Sequence, residues 1–391
     1  MHTSHADITP AAYVISPAQP RQSESATSPG AFVFRYFPQL DGLRGLAILL
    51  VVAGHVIHHN FGVAAGGSLA GLGVLLFFVL SGFLITGLLD REKAQTGSVV
   101  LSTFYLRRML RLFPALFFFL AVVCLLIKLR VVKDTPWYTV VACLIYVRNI
   151  WGRGYATNHI WSLSVEEQFY ASWPLMMRAF SRVTALRIAV GGAIAVSLFR
   201  LVAIHANWFN YWDGTFYERP WFRFDSILIG CAMALWLCSS ANVDRLRTLI
   251  AAPAIPILLW PTALAWTCWG EAVSQTWFLT VQLMIAALTL LHLLLSKDSA
   301  YLRVLSHPVA GWLGRISYSW YLWQQLFAVF DHPARSRLHI FPLNVGASLL
   351  VAIISYYWIE RPFLQLKDLN SQSKAERVDH LPLTDAAAEA F

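Results

Sequence analysis

Charge is scarce in this chain. Only 13% of its 391 residues are Asp, Glu, Lys or Arg, while 57% are hydrophobic. A soluble domain carries about 25% charged residues, so an ordinary water-soluble fold is excluded. Cysteine is sparse and unpatterned. Cys124, Cys143, Cys231, Cys238 and Cys268 lie in or beside apolar runs with no CxxC spacing. That argues against a disulfide framework or a zinc site; the thiols read as small core residues. GxSxG, Walker and HExxH motifs are all missing. The N-terminal stretch is rich in Ser, Pro, Ala and Gln and lacks the apolar core of a cleaved secretory signal. Residues 1–36 and 366–391 are expected to be disordered cytoplasmic tails around a membrane domain at 37–365.

Long apolar runs dominate what is present. Eleven stand out: 43–59, 69–89, 112–132, 137–150, 164–180, 187–205, 224–239, 249–269, 276–295, 314–330 and 343–360. The expected fold is an all-α polytopic membrane bundle. A span needs about 20 residues, and the run at 137–150 is the shortest. Basic residues also tell against it. If it does not cross, Arg91, Lys93, Arg107, Arg108 and Arg111 share the cytoplasmic side with Arg178, Arg182, Arg187, Arg245, Arg247, Lys297, Arg303, Arg315, Arg361 and Lys367. If it crosses, the later clusters lie outside, against the positive-inside bias. About ten spans with both ends inside are therefore expected. Arg148, Arg153, Arg335 and Arg337 are external exceptions. The formal charge of +9 is scattered between apolar runs, which fits topology signals and anion ligands, not nucleic acid.

The segment DGLRGLAILLVVAGH, Asp41 to His55, places Arg44 and His55 eleven residues apart. On a helix both lie on one face, roughly 16 Å apart along the axis. Ionisable groups inside a span are costly and mark functional sites by default. The alternative is a packed histidine and an arginine reaching for the headgroups.

Other polar clusters interrupt the runs. In FYLRRMLRLFP, Arg107 and Arg108 each share a helix face with Arg111. Such a set suits a phosphate-bearing ligand, or simply anchors the helix. HIWSLSVEEQFY contains Trp161, Ser162, Glu166 and Tyr170. Ser164 and Glu167 match a capping box, leaving Glu166 to orient an imidazole or bind a hydroxyl. Arg223 and Asp225 either pair with each other or bind a polar acceptor. Arg315 opens the run at 314–330, and Glu360-Arg361-Pro362 reads as a structural helix end.

In this order the motifs resemble the membrane acyltransferase-3 family, bacterial O-acyltransferases that modify surface polysaccharides and some small molecules. The likeness runs from Pro38 to Phe363. It rests on LDGLRGLAILLVVAGH with Arg44 and His55, GVLLFFVLSGFLIT at Gly73–Thr86, RRMLRLFP with Arg108 and Arg111, and WSLSVEEQFY at Trp161–Tyr170. FDSILIG, SYSWYLW and WIERPF follow. One departure is clear. Many relatives read SYxxYLxH, whereas here Tyr321 is followed by Leu322, Trp323 and Gln324.

The resemblance implies ten helices in a bacterial inner membrane. It also implies an acyl-coenzyme A co-substrate, acetyl-coenzyme A above all, and a hydroxyl acceptor on an exopolysaccharide, glycolipid or other carbohydrate. No permanent cofactor or metal is expected. Arg44, Arg107, Arg108, Arg111 and Arg315 would hold the coenzyme A phosphates. His55 would act as general base or carry the acyl group. Glu166 would orient it or bind the acceptor, with Trp161, Ser162, Tyr170, Arg223 and Asp225 on the acceptor side. Some relatives carry an extra extracytoplasmic domain, for which no room is expected after Phe363. The alternative is a proton-coupled transporter using the same His, Glu and Arg groups as a relay; the paired broken helices that point to transporters are not evident.

Overall fold

The computed structural model describes residues 37–206, 208, 218–238, 243, 246–247, 250, 254–273, 275–296, 300–328 and 337–366. The expected tails lie outside these residues apart from Leu366, as do Arg245, Lys297, Arg335 and Lys367. Among the described residues the chain is helical, with no strand. The helices are α1 Pro38–Phe61, α2 Ala65–Thr96, α3 Leu101–Lys128, α4 Trp137–Leu144, α5 Ile160–Ala179, α6 Arg182–His205, α7 Phe224–Leu237, α8 Ala254–Val273, α9 Gln275–Leu295, α10 Ala300–Leu305, α11 Pro308–Ala328 and α12 Leu343–Ser355. A π-helical turn, Tyr356–Glu360, continues α12.

Six of these segments are long and apolar enough to cross a membrane: α1, α2, α3, α6, Trp277–Leu295 and Leu343–Leu366. The chain is a multi-pass membrane protein. α4 has 8 residues, about 12 Å of helix against a core of about 30 Å. It cannot span.

The bundle is built around α2. In its most apolar stretch 78% of residues are buried, against 22% in α6 and 33% in α3. α2 is therefore central, and α3 and α6 turn apolar faces such as Phe117, Leu125 and Leu198 outward. Small residues let the central helices meet. A Cβ on Gly82 of α2 would strike the Ile227 carbonyl of α7, and one on Gly230 of α7 would strike Val79 of α2. This is the close backbone approach that drives helix association in lipid, where there is no hydrophobic difference to exploit. α1 and α11 touch in the same way, Gly314 lying on the Asp41 carbonyl.

Polar ties fix the two ends of α5. At its C-terminus the Lys93 ammonium donates to the carbonyls of Met177 at 2.7 Å and Phe180 at 2.7 Å. Asp90 accepts two hydrogen bonds from Arg182, at 2.9 and 2.7 Å. The C-terminal ends of α2 and α5 therefore lie at one level. The 8-residue α4 between α3 and α5 adds no span of its own. That segment folds over itself instead. Arg148 donates to Thr157, Asn158 and the carbonyls of Gly152 and Gly154, and Asp134 accepts from the Tyr155 amide at 2.8 Å.

Two expectations need correction. Cys124 and Cys268 are exposed on the outside of the bundle and are not core residues. Ser164 is no N-cap: α5 begins at Ile160, and the Ser164 hydroxyl donates back to the Ile160 carbonyl at 3.0 Å. IWSL continues the helical pattern upstream, so the helix starts one turn before Ser164.

Candidate active site

α1 and α11 run side by side in the same direction, which brings His55 against Gln324. His55 Nδ1 and Gln324 Oε1 are 2.8 Å apart. His55 is half-buried and Gln324 fully buried. Tyr321 lies one turn earlier on α11, and its hydroxyl bonds Ser162 Oγ at 2.6 Å and the His159 carbonyl at 2.8 Å. The buried His159 ring packs edge-on against Phe119 and Tyr321. His159 opens the segment already singled out, but the sequence reading gave it no part.

Below this layer is an open pocket of about 660 Å3, counting the solvent at its mouth. Arg44, Arg108 and Arg111 line it, together with Ser81, Ser162, Glu166, Tyr318 and Tyr321. α1 supplies the first arginine and α3 the other two. Asp41, one turn before Arg44, lies 3.6 Å from its guanidinium. Arg108 sits over the Tyr170 ring at 3.6 Å and reaches Glu167 at 3.6 Å. Glu166 accepts from Ser81 at 3.1 Å and from Tyr170 at 3.3 Å.

Several expected site residues fall elsewhere. Glu166 shares the arginine pocket, not a separate outer site. The hydrogen-bond partner of His55 is Gln324, and Glu166 bonds Ser81 and Tyr170 instead. Arg107 is exposed and Arg315 is half-buried; neither lines the pocket. Arg223 is buried and stacks at 5.3 Å over Trp161, which packs on Phe78. Asp225 is committed to Arg200 at 2.7 Å and Ser197 at 2.9 Å. The Asp225–Arg200 pair is a buried bridge between α6 and α7. Arg200 is 1% exposed, and its only sequence signal is an arginine in the interior of a run that otherwise carries one arginine, Arg187, at its edge. Glu360 is buried and accepts from Ser319 at 2.9 Å.

Outside the spans, Glu218 lies 3.7 Å from Arg148. Burial pushes its carboxyl up to about 7, against the pull of Arg148 and Arg219.

A family model described as an acyltransferase domain, the acyltransferase-3 model, matches residues 37–361. The chain is similar to a Staphylococcus aureus protein named "Putative O-acetyltransferase", 29% identical over 87% of this chain and 59% of that protein. It is 29% identical to the Listeria monocytogenes "Peptidoglycan O-acetyltransferase OatA" over 84% of this chain and 56% of the relative. A Bacillus subtilis "Putative peptidoglycan O-acetyltransferase" is 30% identical over 84% of this chain and 55% of its own length. The chain thus spans little more than half the length of these curated relatives. No solved structure matches.

Proposed function

The chain belongs to the membrane acyltransferase-3 family, and from that premise we propose that it transfers an acyl group, acetyl first of all, from acyl-coenzyme A to a carbohydrate hydroxyl. One observation carries the reading. A pocket with Arg44, Arg108 and Arg111 on its wall ends at Ser162 and Tyr321, one turn of α11 short of the His55–Gln324 pair. Guanidiniums are suited to phosphate oxyanions. The roughly 16 Å between Arg44 and His55 along α1 matches the reach of a pantetheine arm.

In this reading the donor enters from the cytoplasmic side and its thioester lies near Ser162 and Tyr321. His55 takes the proton of the acceptor hydroxyl. The oxygen attacks the thioester carbonyl, the carbon–sulfur bond breaks, and His55 returns the proton to the leaving thiolate. Glu166 lies beside the donor and, with Tyr170, shapes the arginine wall. The names of the Listeria and Bacillus relatives support a glycan hydroxyl of the peptidoglycan type as acceptor. The remaining helices complete about ten crossings of a bacterial inner membrane, with both ends cytoplasmic. Transport by the same polar groups is disfavoured by the family assignment.

Mass spectrometry of surface glycans tests this directly. Deleting the gene should remove an acyl mass, and a His55→Ala copy inserted at normal level should not restore it. An unchanged glycan profile on deletion overturns the proposal.

A further inference from the structure

Gln324 and Gln325 are adjacent on α11, both buried, and they form a chain. The Gln325 amide nitrogen donates to the Tyr155 backbone carbonyl at 2.9 Å. The Gln324 amide nitrogen donates to Gln325 Oε1 at 3.5 Å. Gln324 Oε1 then faces His55 Nδ1 at 2.8 Å. Each amide could be turned end for end without changing its shape. The chain as a whole cannot, because a backbone carbonyl only accepts. Tyr155 therefore demands the Gln325 NH2. That turns Gln325 Oε1 toward Gln324, which must present its own NH2. Gln324 Oε1 is left for His55, and an oxygen can only accept. Turning either amide would set two oxygens or two NH2 groups against each other in a buried site, a loss of at least one hydrogen bond where water does not substitute.

We infer that the two glutamines are a polarised relay which, anchored at the Tyr155 carbonyl, holds the His55 proton on Nδ1 and leaves Nε2 bare as the proton-accepting atom. Gln324 and Gln325 are positioning residues: they set which ring nitrogen does the work. The relay also ties the imidazole to the segment folded around Arg148, because Tyr155 lies in it. Its use as a base rests on the reading of His55 above; the tautomer does not.

The test is nitrogen magnetic resonance on the full chain in lipid, with 15N-labelled histidine. The His55 signal is identified by its loss in His55→Asn. The expected spectrum has a protonated Nδ1 and an unprotonated Nε2. Gln324→Leu should populate the other tautomer, and Gln325→Leu should give a mixture. A wild-type proton on Nε2, or a tautomer unmoved by Gln324→Leu, overturns the relay. Gln324→Glu guards against a misfolded leucine variant. A carboxylate still accepts from Nδ1–H and also favours the imidazolium, so the acidic limb of the pH–rate profile should move to higher pH. An unmoved limb with the Nδ1 tautomer lost also overturns the relay. Full activity in His55→Ala alongside the expected wild-type spectrum removes the base role and leaves the relay standing.

Discussion

The Arg108 guanidinium lies 3.6 Å from the centre of the Tyr170 ring. Stacked in this way it keeps its in-plane N–H groups for Glu167 on one side and for a ligand in the pocket on the other. Changing Arg108 and Arg111 together to Ala should weaken acyl-coenzyme A binding at least ~10-fold, since each charge-assisted bond lost is worth about 1.5–3 kcal/mol. Acceptor affinity should hold. Arg108→Lys should recover little, because an ammonium neither stacks nor forks. Donor affinity measured by isothermal titration is the check; no change would leave these arginines as anchors only.

Glu166 and Glu167 should separate by kinetic parameter. Glu166 lines the pocket and accepts from Ser81 and Tyr170, and Glu166→Gln should lower turnover by up to about 100-fold, the cost of misplacing a reacting group by about 1 Å. Glu167 holds Arg108 at 3.6 Å, so Glu167→Gln should act mainly through a higher KM for the donor. Steady-state kinetics on both variants decide it, and identical effects on kcat and KM would contradict the division.

A labelling reporter fused near Gly154 should be read on the same side as one fused near Val131. An 8-residue α4, about 12 Å of helix, is too short to carry the chain across. Opposite sides would mean that a crossing lies between the two reporters.

Glu218 gives a pH signature of stability. Its carboxyl is raised from 4.5 to about 7 in the folded chain. The folded state thus favours the proton, and the stabilisation is complete below the unfolded value and lost as pH climbs through the folded one. The melting temperature of wild type minus that of Glu218→Gln should fall between about pH 4.5 and 7 and level off above. Thermal scans in detergent at several pH values measure it; a flat difference would mean that Glu218 ionises as it does in water.

The helices were legible because a bilayer leaves only one economical solution for a long apolar run. The run at 137–150 holds an 8-residue helix, too short to span, in keeping with its length in the sequence. Arg108 and Arg111 share the pocket as their spacing on one helix suggests, but the same rule also groups Arg107 with Arg111, and Arg107 is exposed. Pairings across helices were not legible. Nothing in the order of residues tells that Asp225 meets Arg200 or that His55 meets Gln324, since each partner lies on another helix. Glu167 was misread for the opposite reason. A strong local pattern, Ser164 followed by Glu167, was taken at face value when the helix already ran through it.

The mutual notches of Gly82 and Gly230 bear on how the protein is made. α2 is inserted early, yet the surface that receives its glycine belongs to α7, synthesised some 140 residues later. Until then this face of α2 rests against lipid or a helper protein with its best partner missing. Such a delayed contact makes closure of the bundle a late event in biosynthesis. A chain that stops before Ile227 would lack the surface that receives Gly82 and leave that face of α2 as an open seam.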